Sequence, residues 1–159
     1  MDQRSGCPIN LSVEVLGDRW SLVVLRDIMF GNLRSYGEIH AHSLEGIATN
    51  ILADRLKRLV AGGLLSAAPD PAHRQRTVYS LTDKAIDLVP VMVALGDWGV
   101  KHLPVDPRFA ARSIALTAGG PEMWADFADE LRHLHRGAPP PRRSVLAALQ
   151  AAYLVAGGT

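Results

Sequence analysis

The chain has 159 residues, 48% hydrophobic and 21% charged, the proportions of a soluble globular protein with room for one domain or a domain plus an added helical segment. Its single cysteine excludes an intramolecular disulfide. It has no apolar run long enough to cross a bilayer and no signal-peptide core in MDQRSGC, so a cytoplasmic, non-membrane protein is expected. The net charge of +1 is unevenly spread, with −2 over residues 1–46, +3 over 47–84, −1 over 85–104 and +1 over 105–159, and the basic segment points to a polyanionic partner.

In chain order, a short helix is expected from about Asn10 to Val15, ended by Gly17. Asp18 is a suitable N-cap for WSLVVLRDIMF, where Trp20, Val24 and Ile28 recur every four residues and Gly31 stops the helix. Ser35 to Glu38, S-Y-G-E, has capping-box spacing and opens a short third helix with Tyr36 and Ile39 on its apolar face. SLEG, residues 43–46, is a turn. The next helix carries Leu52, Leu56, Leu59 and Val60 on one side and Asn50, Asp54, Lys57 and Ala61 on the other. Gly62-Gly63 provides its left-handed stop.

LLSAAP and RTVYSLT have strand character and flank a solvated hairpin tip at DPAHRQ. Thr82 caps a helix lined by Ile86, Val89, Met92, Val93 and Leu95, with a kink or loosened turn expected at Pro90. Pro104 and Pro107 mark a boundary. Pro121 then opens PEMWADFADELRHLHR, with Met123, Phe127, Leu131 and Leu134 on one face. After the stiff PPPRR connector, SVLAALQAAYLVA is a terminal helix whose stripe includes Val145, Leu146, Leu149, Tyr153 and Leu154. Such a stripe at a chain end needs a partner.

Helix, short helix, turn, helix and then a hairpin with arginines at its tip is the order of a winged helix-turn-helix. A polar helix face can enter the major groove while the hairpin reaches neighbouring phosphates. The fold class is mainly α with a small β-hairpin (α+β), followed by additional C-terminal helices. Domains are expected at 7–104, the winged helix, and 105–159, a helical extension serving dimerisation or effector binding.

The chain resembles the HxlR family of winged-helix transcriptional regulators, relatives of the MarR type. The resemblance rests on CPI at 7–9, LGDRWSLVVLRDI at 16–28, LRSYGEI at 33–39, GIATNILADRLKRLVAGGLL at 46–65 and VYSLTDKAIDLVPVMVALGDWG at 78–99. Arg19 stands where the family usually has Lys, Ala48 where Ser often caps the recognition helix, and Ala85 where Gly is common. The missing Ser cap costs about 1 kcal/mol of local helix stability.

The resemblance implies a bacterial homodimer joined through N- and C-terminal helices, binding double-stranded DNA and repressing or activating neighbouring genes, with repression the expected mode. It places Thr49, Asn50 and Ala53 on the front of the recognition helix and Lys57 and Arg58 nearer its back, where phosphate contact is expected. Arg34 at the third helix and Arg74 and Arg76 in the wing are candidate backbone contacts. Asp54 would repel phosphate unless Arg58, one turn later, pairs with it.

Cys7 matches the cysteine that several members of the family use to sense oxidants or electrophiles. A helix N-terminus and Arg4 would favour its thiolate, whereas the alternative is a small apolar residue at the dimer contact. An apolar small-molecule effector held between the DNA-binding core and the C-terminal helices is the competing means of regulation. No metal is expected, since His40 and His42, like His133 and His135, are two apart on helices and point in different directions. No cofactor is called for. No phosphate loop, nucleophile–base ordering or carboxylate pair suggests an enzyme. The alternative function is a winged-helix module for protein association, which strong loss of duplex binding with salt would exclude.

Overall fold

The computed structural model of the protein describes residues 5–158. Its contacts divide the chain into two compact units, Met1–Thr82 and Asp83–Thr159. This division falls earlier in the chain than the proline boundary near residue 104, because the helix ending at His102 packs against the long helix after it. Among the described residues, no helix is long and apolar enough to cross a membrane.

The first unit contains α1 (Pro8–Leu16), α2 (Arg19–Gly31), α3 (Tyr36–Ala41), α4 (Thr49–Ala61), β1 (Leu65–Pro69) and β2 (Thr77–Leu81). Helix α1 begins two residues before the expected Asn10, because Pro8 already has the backbone angle of a first helical position and gives up only an amide that would go unpaired there. Asp18 caps α2 as its spacing predicts, accepting from the amides of Trp20 and Ser21 at 3.0 and 2.9 Å. Gly31 lies inside α2, and the stop is Asn32 in the left-handed conformation at φ 50°. Asn tolerates that region because its short polar side chain can bond locally. The capping box at Ser35 and Glu38 is complete.

Val24, Leu25, Ile28 and Met29 of α2 meet Ile39 of α3 and Leu52, Leu56 and Leu59 of α4 in a closed apolar core. Truncating one of these leucines to Ala should cost about 2–5 kcal/mol. Helix α4 ends at Gly62 and Gly63, but only Gly63, at φ 72°, is left-handed. The chain then turns into β1, which pairs antiparallel with β2 in the register Leu65–Leu81 to Pro69–Thr77. Leu65 and Leu81 at the base of the hairpin are buried and fix the wing to the core.

The second unit contains α5 (Asp83–Ile86), α6 (Val89–His102), α7 (Pro107–Arg136) and α8 (Val145–Ala156). The break expected near Pro90 separates α5 from α6, with Pro90 in the first turn of α6. Met92 is only half-buried and Leu95 exposed, so the buried face of α6 is narrower than the sequence suggested. Helix α7 starts at Pro107, well before Pro121, with the Asp106 carboxylate accepting from the Arg108 amide at 2.8 Å. A kink at Gly120, φ 64° and ψ −167°, divides it, and Pro121 opens its second half. At Gly119 a Cβ would collide with the Met123 side chain, so the approach to the kink also requires glycine. The indole N–H of Trp124 donates to the Leu116 carbonyl at 2.7 Å, giving that carbonyl a partner across the kink.

Phe127 and Leu131 of α7 bury against the α8 face formed by Val145 and Leu149. The buried Glu130 carboxylate accepts from Ser144 Oγ and from the amides of Val145 and Leu146 at 2.6, 2.7 and 3.0 Å. One side chain of α7 thereby caps the N-terminus of α8.

Candidate nucleic-acid interface

With Leu52, Leu56 and Leu59 turned into the core, the 100° step of the helix sends Asn50, Asp54 and Lys57 outward, and all three are exposed. Thr49, Ala53 and Arg58 are exposed beside them. The start of α4 is held by α3, where the Tyr36 hydroxyl donates to the Thr49 carbonyl at 3.1 Å. Tyr36 itself stacks on His40 with ring centroids 6.1 Å apart. The N-cap position, Ala48, supplies no side-chain bond to the first-turn amides of α4.

Charges on α4 form a chain that continues into α2. Arg58 Nε lies 2.9 Å from Asp54 Oδ2, the pairing expected of an acid and a base one turn apart. Asp54 Oδ2 also accepts from Arg55 Nη1 at 2.9 Å, and Arg55 Nε lies 2.8 Å from Asp18 Oδ1. Asp18 therefore caps α2 and anchors α4. Burial raises its carboxyl pKa, but hydrogen bonds from Ser21 and the Arg55 charge outweigh burial and hold it below the ordinary value. Arg26 makes a second link, donating to both Glu45 oxygens at 2.6 and 2.8 Å and so tying α2 to the turn before α4.

The wing lies beside this helix pair. Arg34 is half-buried, with Nε donating to the Tyr79 carbonyl at 3.1 Å and Nη2 donating to Ser80 Oγ. Its guanidinium therefore holds β2 against the start of α3. Arg76 pairs with Glu38 at 2.7 Å and approaches Asp70 at 3.6 Å. Backbone bonds from Arg34 and contacts from Ser35 and Arg76 keep the Glu38 carboxyl below its usual range. Arg74 is exposed at the tip, and among the described residues neither it nor Lys57 has a side-chain partner. Ser35, Tyr36, Gln75, Arg76 and Tyr79 line a shallow open groove between α3 and the wing.

The structure thus brings Thr49, Asn50, Ala53, Lys57 and Arg58 together on one exposed helix surface and places Arg74 on a projecting hairpin. Arg34 and Arg76 instead have internal partners. The sequence left unassigned the bond from Tyr36 to Thr49, the link from Arg55 to Asp18 and the Arg76–Glu38 pair. Asp18 is 37 positions from Arg55, and no local spacing signals such a contact. Cys7 is exposed at the N-cap of α1. Arg4, invoked beside it, lies outside the described residues.

A short capped helix, a second helix with an exposed polar face and an attached hairpin define the winged helix-turn-helix class. The chain belongs to the HxlR-like helix-turn-helix family, which it matches over residues 15–107. It is 36% identical over 99 residues to an HTH-type transcriptional regulator of Mycobacterium tuberculosis (strain ATCC 25618 / H37Rv), a match covering 62% of this chain and 61% of that relative. It is 31% identical over 110 residues to the HTH-type transcriptional regulator YvaP of Bacillus subtilis (strain 168), covering 69% and 98% of the two chains. Among solved structures, PA1607, assigned as a transcription factor, aligns with a TM-score of 0.58 at 38% identity over 65% of this chain and 70% of that one. The reduced form of the transcriptional regulator YodB from B. subtilis aligns with a TM-score of 0.51 at 25% identity, over 64% and 100%.

Proposed function

We propose that this protein is a sequence-specific DNA-binding transcriptional regulator, a repressor, acting as a homodimer in the cytosol. The observation that carries the reading is the exposed face of α4, where Asn50 and Lys57 point outward opposite the buried Leu52, Leu56 and Leu59. Asn50 is suited to paired hydrogen bonds with adenine, and Lys57 and Arg74 to phosphate. The internal partners of Arg34 and Arg76 give these two a supporting role, setting the angle of the wing. The winged-helix region is taken as 7–104, with 105–159 extending the dimer or serving an apolar effector.

Two apolar faces support the dimer. Ile9 and Val13 of α1 are 75% and 57% exposed, and Val91, Leu95 and Trp98 follow each other at helical spacing on the exposed side of α6. Cys7 sits at the start of the first of these faces, so oxidation or alkylation of its thiol would alter the contact between subunits. A Cys7→Ser chain that binds DNA normally and no longer responds to peroxide or quinones would support this switch. A wild-type chain that ignores both reagents would turn the search to an apolar effector.

Capture of genomic fragments by the purified full chain, followed by sequencing, tests the main reading. A shared two-fold motif is expected, and binding should weaken steeply with salt. Equal recovery of all fragments, or association insensitive to salt, would favour a protein-docking role for α4.

A further inference from the structure

We infer that Arg58 reads a guanine in the major groove and that Asp54 is the residue that positions it for this task. The inference rests on the DNA-binding reading of α4 and deepens it. Arg58 is the most exposed member of the charge chain, with 69% of its side chain accessible, and its ion pair with Asp54 runs through Nε. A guanidinium is planar with its donors in fixed directions. With the carboxylate nearest Nε, the terminal Nη1–Nη2 edge is left for another partner, and that edge matches the O6 and N7 acceptors of guanine.

Three features favour a base over a phosphate. Asp54 lies at the centre of the outward face, about 160–200° from the apolar stripe along with Asn50. A carboxylate there repels phosphate, and in partnership with Arg58 it cancels the charge that phosphate binding would use. The pair is also not isolated. Asp54 is held by Arg55, whose side chain is only 16% accessible, and Arg55 is held by the Asp18 cap of α2. The outermost guanidinium of the recognition helix is thus oriented by a chain of alternating charges that ends in the folded core. An Arg held in advance loses less side-chain freedom when it meets a planar acceptor pair.

An exposed pair one helical turn apart contributes little to stability, so its removal leaves the fold available for testing. The experiment is selection from a pool of random-sequence duplexes by the full chain, comparing wild type with Asp54→Ala, Asp54→Glu, Arg58→Ala and Arg58→Lys, each checked by circular dichroism. The wild type is expected to enrich a motif with one guanine that depends on Arg58. Arg58→Ala and Arg58→Lys should lower preference for that guanine by about tenfold, the value of one bidentate contact. Asp54→Ala should lower the same preference, while its lost negative charge raises affinity for every duplex. Asp54→Glu should restore part of the preference.

If Asp54→Ala raises general affinity and leaves base preference unchanged, Asp54 is only a repelling charge and the inference is overturned. A wild-type motif that none of the four substitutions alters overturns it while leaving the DNA-binding reading intact. A wild type that enriches no motif overturns both.

Discussion

Arg34 and Tyr79 exchange bonds through both backbone and side chain: the Tyr79 amide donates to the Arg34 carbonyl at 2.7 Å, and Arg34 Nε donates to the Tyr79 carbonyl at 3.1 Å. The segment entering α3 therefore acts as an added edge for β2 and sets where the wing stands relative to α4. Replacing Arg34 by Ala should destabilise the protein by about 1–3 kcal/mol, because it leaves acceptors on β2 without their charged donor. Lys should restore little, since a single ammonium cannot reproduce the fork. Urea unfolding of the full chain would measure both.

Asn50→Ala is expected to weaken binding to the selected operator by about 1–3 kcal/mol with little change in melting temperature. Its side chain is exposed, so the fold does not depend on it. A titration showing unchanged operator affinity would move adenine recognition to another residue.

The two wing arginines should behave differently. Arg74 has no partner among the described residues, and Arg74→Ala should weaken all duplexes alike and reduce the salt slope by about 0.9 for a lost phosphate contact. Arg76 is paired with Glu38, so Arg76→Ala should change the slope less and lower stability instead. Affinity measured over a range of salt concentrations, alongside a melting curve, distinguishes the two effects.

Placing a charge on the exposed apolar face of α6, as in Leu95→Asp, should convert a dimer to monomers and abolish binding to a two-fold site. The half-sites of such a site would lie about 34 Å apart, one helical turn of DNA. Light scattering at micromolar concentration gives the result directly, and a wild-type monomer under those conditions would remove the dimer from the proposal.

Acid should weaken the first unit through identified carboxylates. Glu45, hydrogen-bonded by Arg26, joins Asp18 and Glu38 in having a lowered pKa in the folded chain. A lowered folded value means that the stability is fully present above the ordinary values near 3.8 and 4.5, and is lost as pH falls through the folded values below them. Asp27 opposes this trend, because burial, with the nearby Glu45 charge, raises its carboxyl pKa by more than Arg26 lowers it. Unfolding curves between neutral pH and pH 2 should show the loss below about pH 4, and Glu45→Gln should flatten part of it.

Local interactions were written plainly in the chain. The Asp18 cap, the Ser35–Glu38 box and the Asp54–Arg58 pair each join residues two to four positions apart, about one turn of helix, and the Leu52–Leu56–Leu59 stripe advances by steps of the same size. Backbone geometry alone fixes those distances, so spacing and residue type suffice to find them. The break at Pro90 and the hairpin around Asp70 follow for the same reason. Helix α7 was harder to see, because Gly119, Gly120 and Pro121 interrupt its pattern and the bridge from Trp124 to Leu116 that crosses the interruption is a tertiary contact.

What the tertiary structure decided is which charges remain available to a partner. Arg34, Arg55, Arg74 and Arg76 look alike in the sequence, yet three have internal partners and Arg74 stands free among the described residues. Those partners, Tyr79, Asp18 and Glu38, are 45, 37 and 38 positions away. A flexible guanidinium can take any acid or carbonyl that the fold brings within 3 Å. Composition and periodicity fixed the helix that faces outward, because burying one apolar stripe leaves a single polar face. Only the packed chain could assign each arginine, because that depends on distances between residues far apart in sequence.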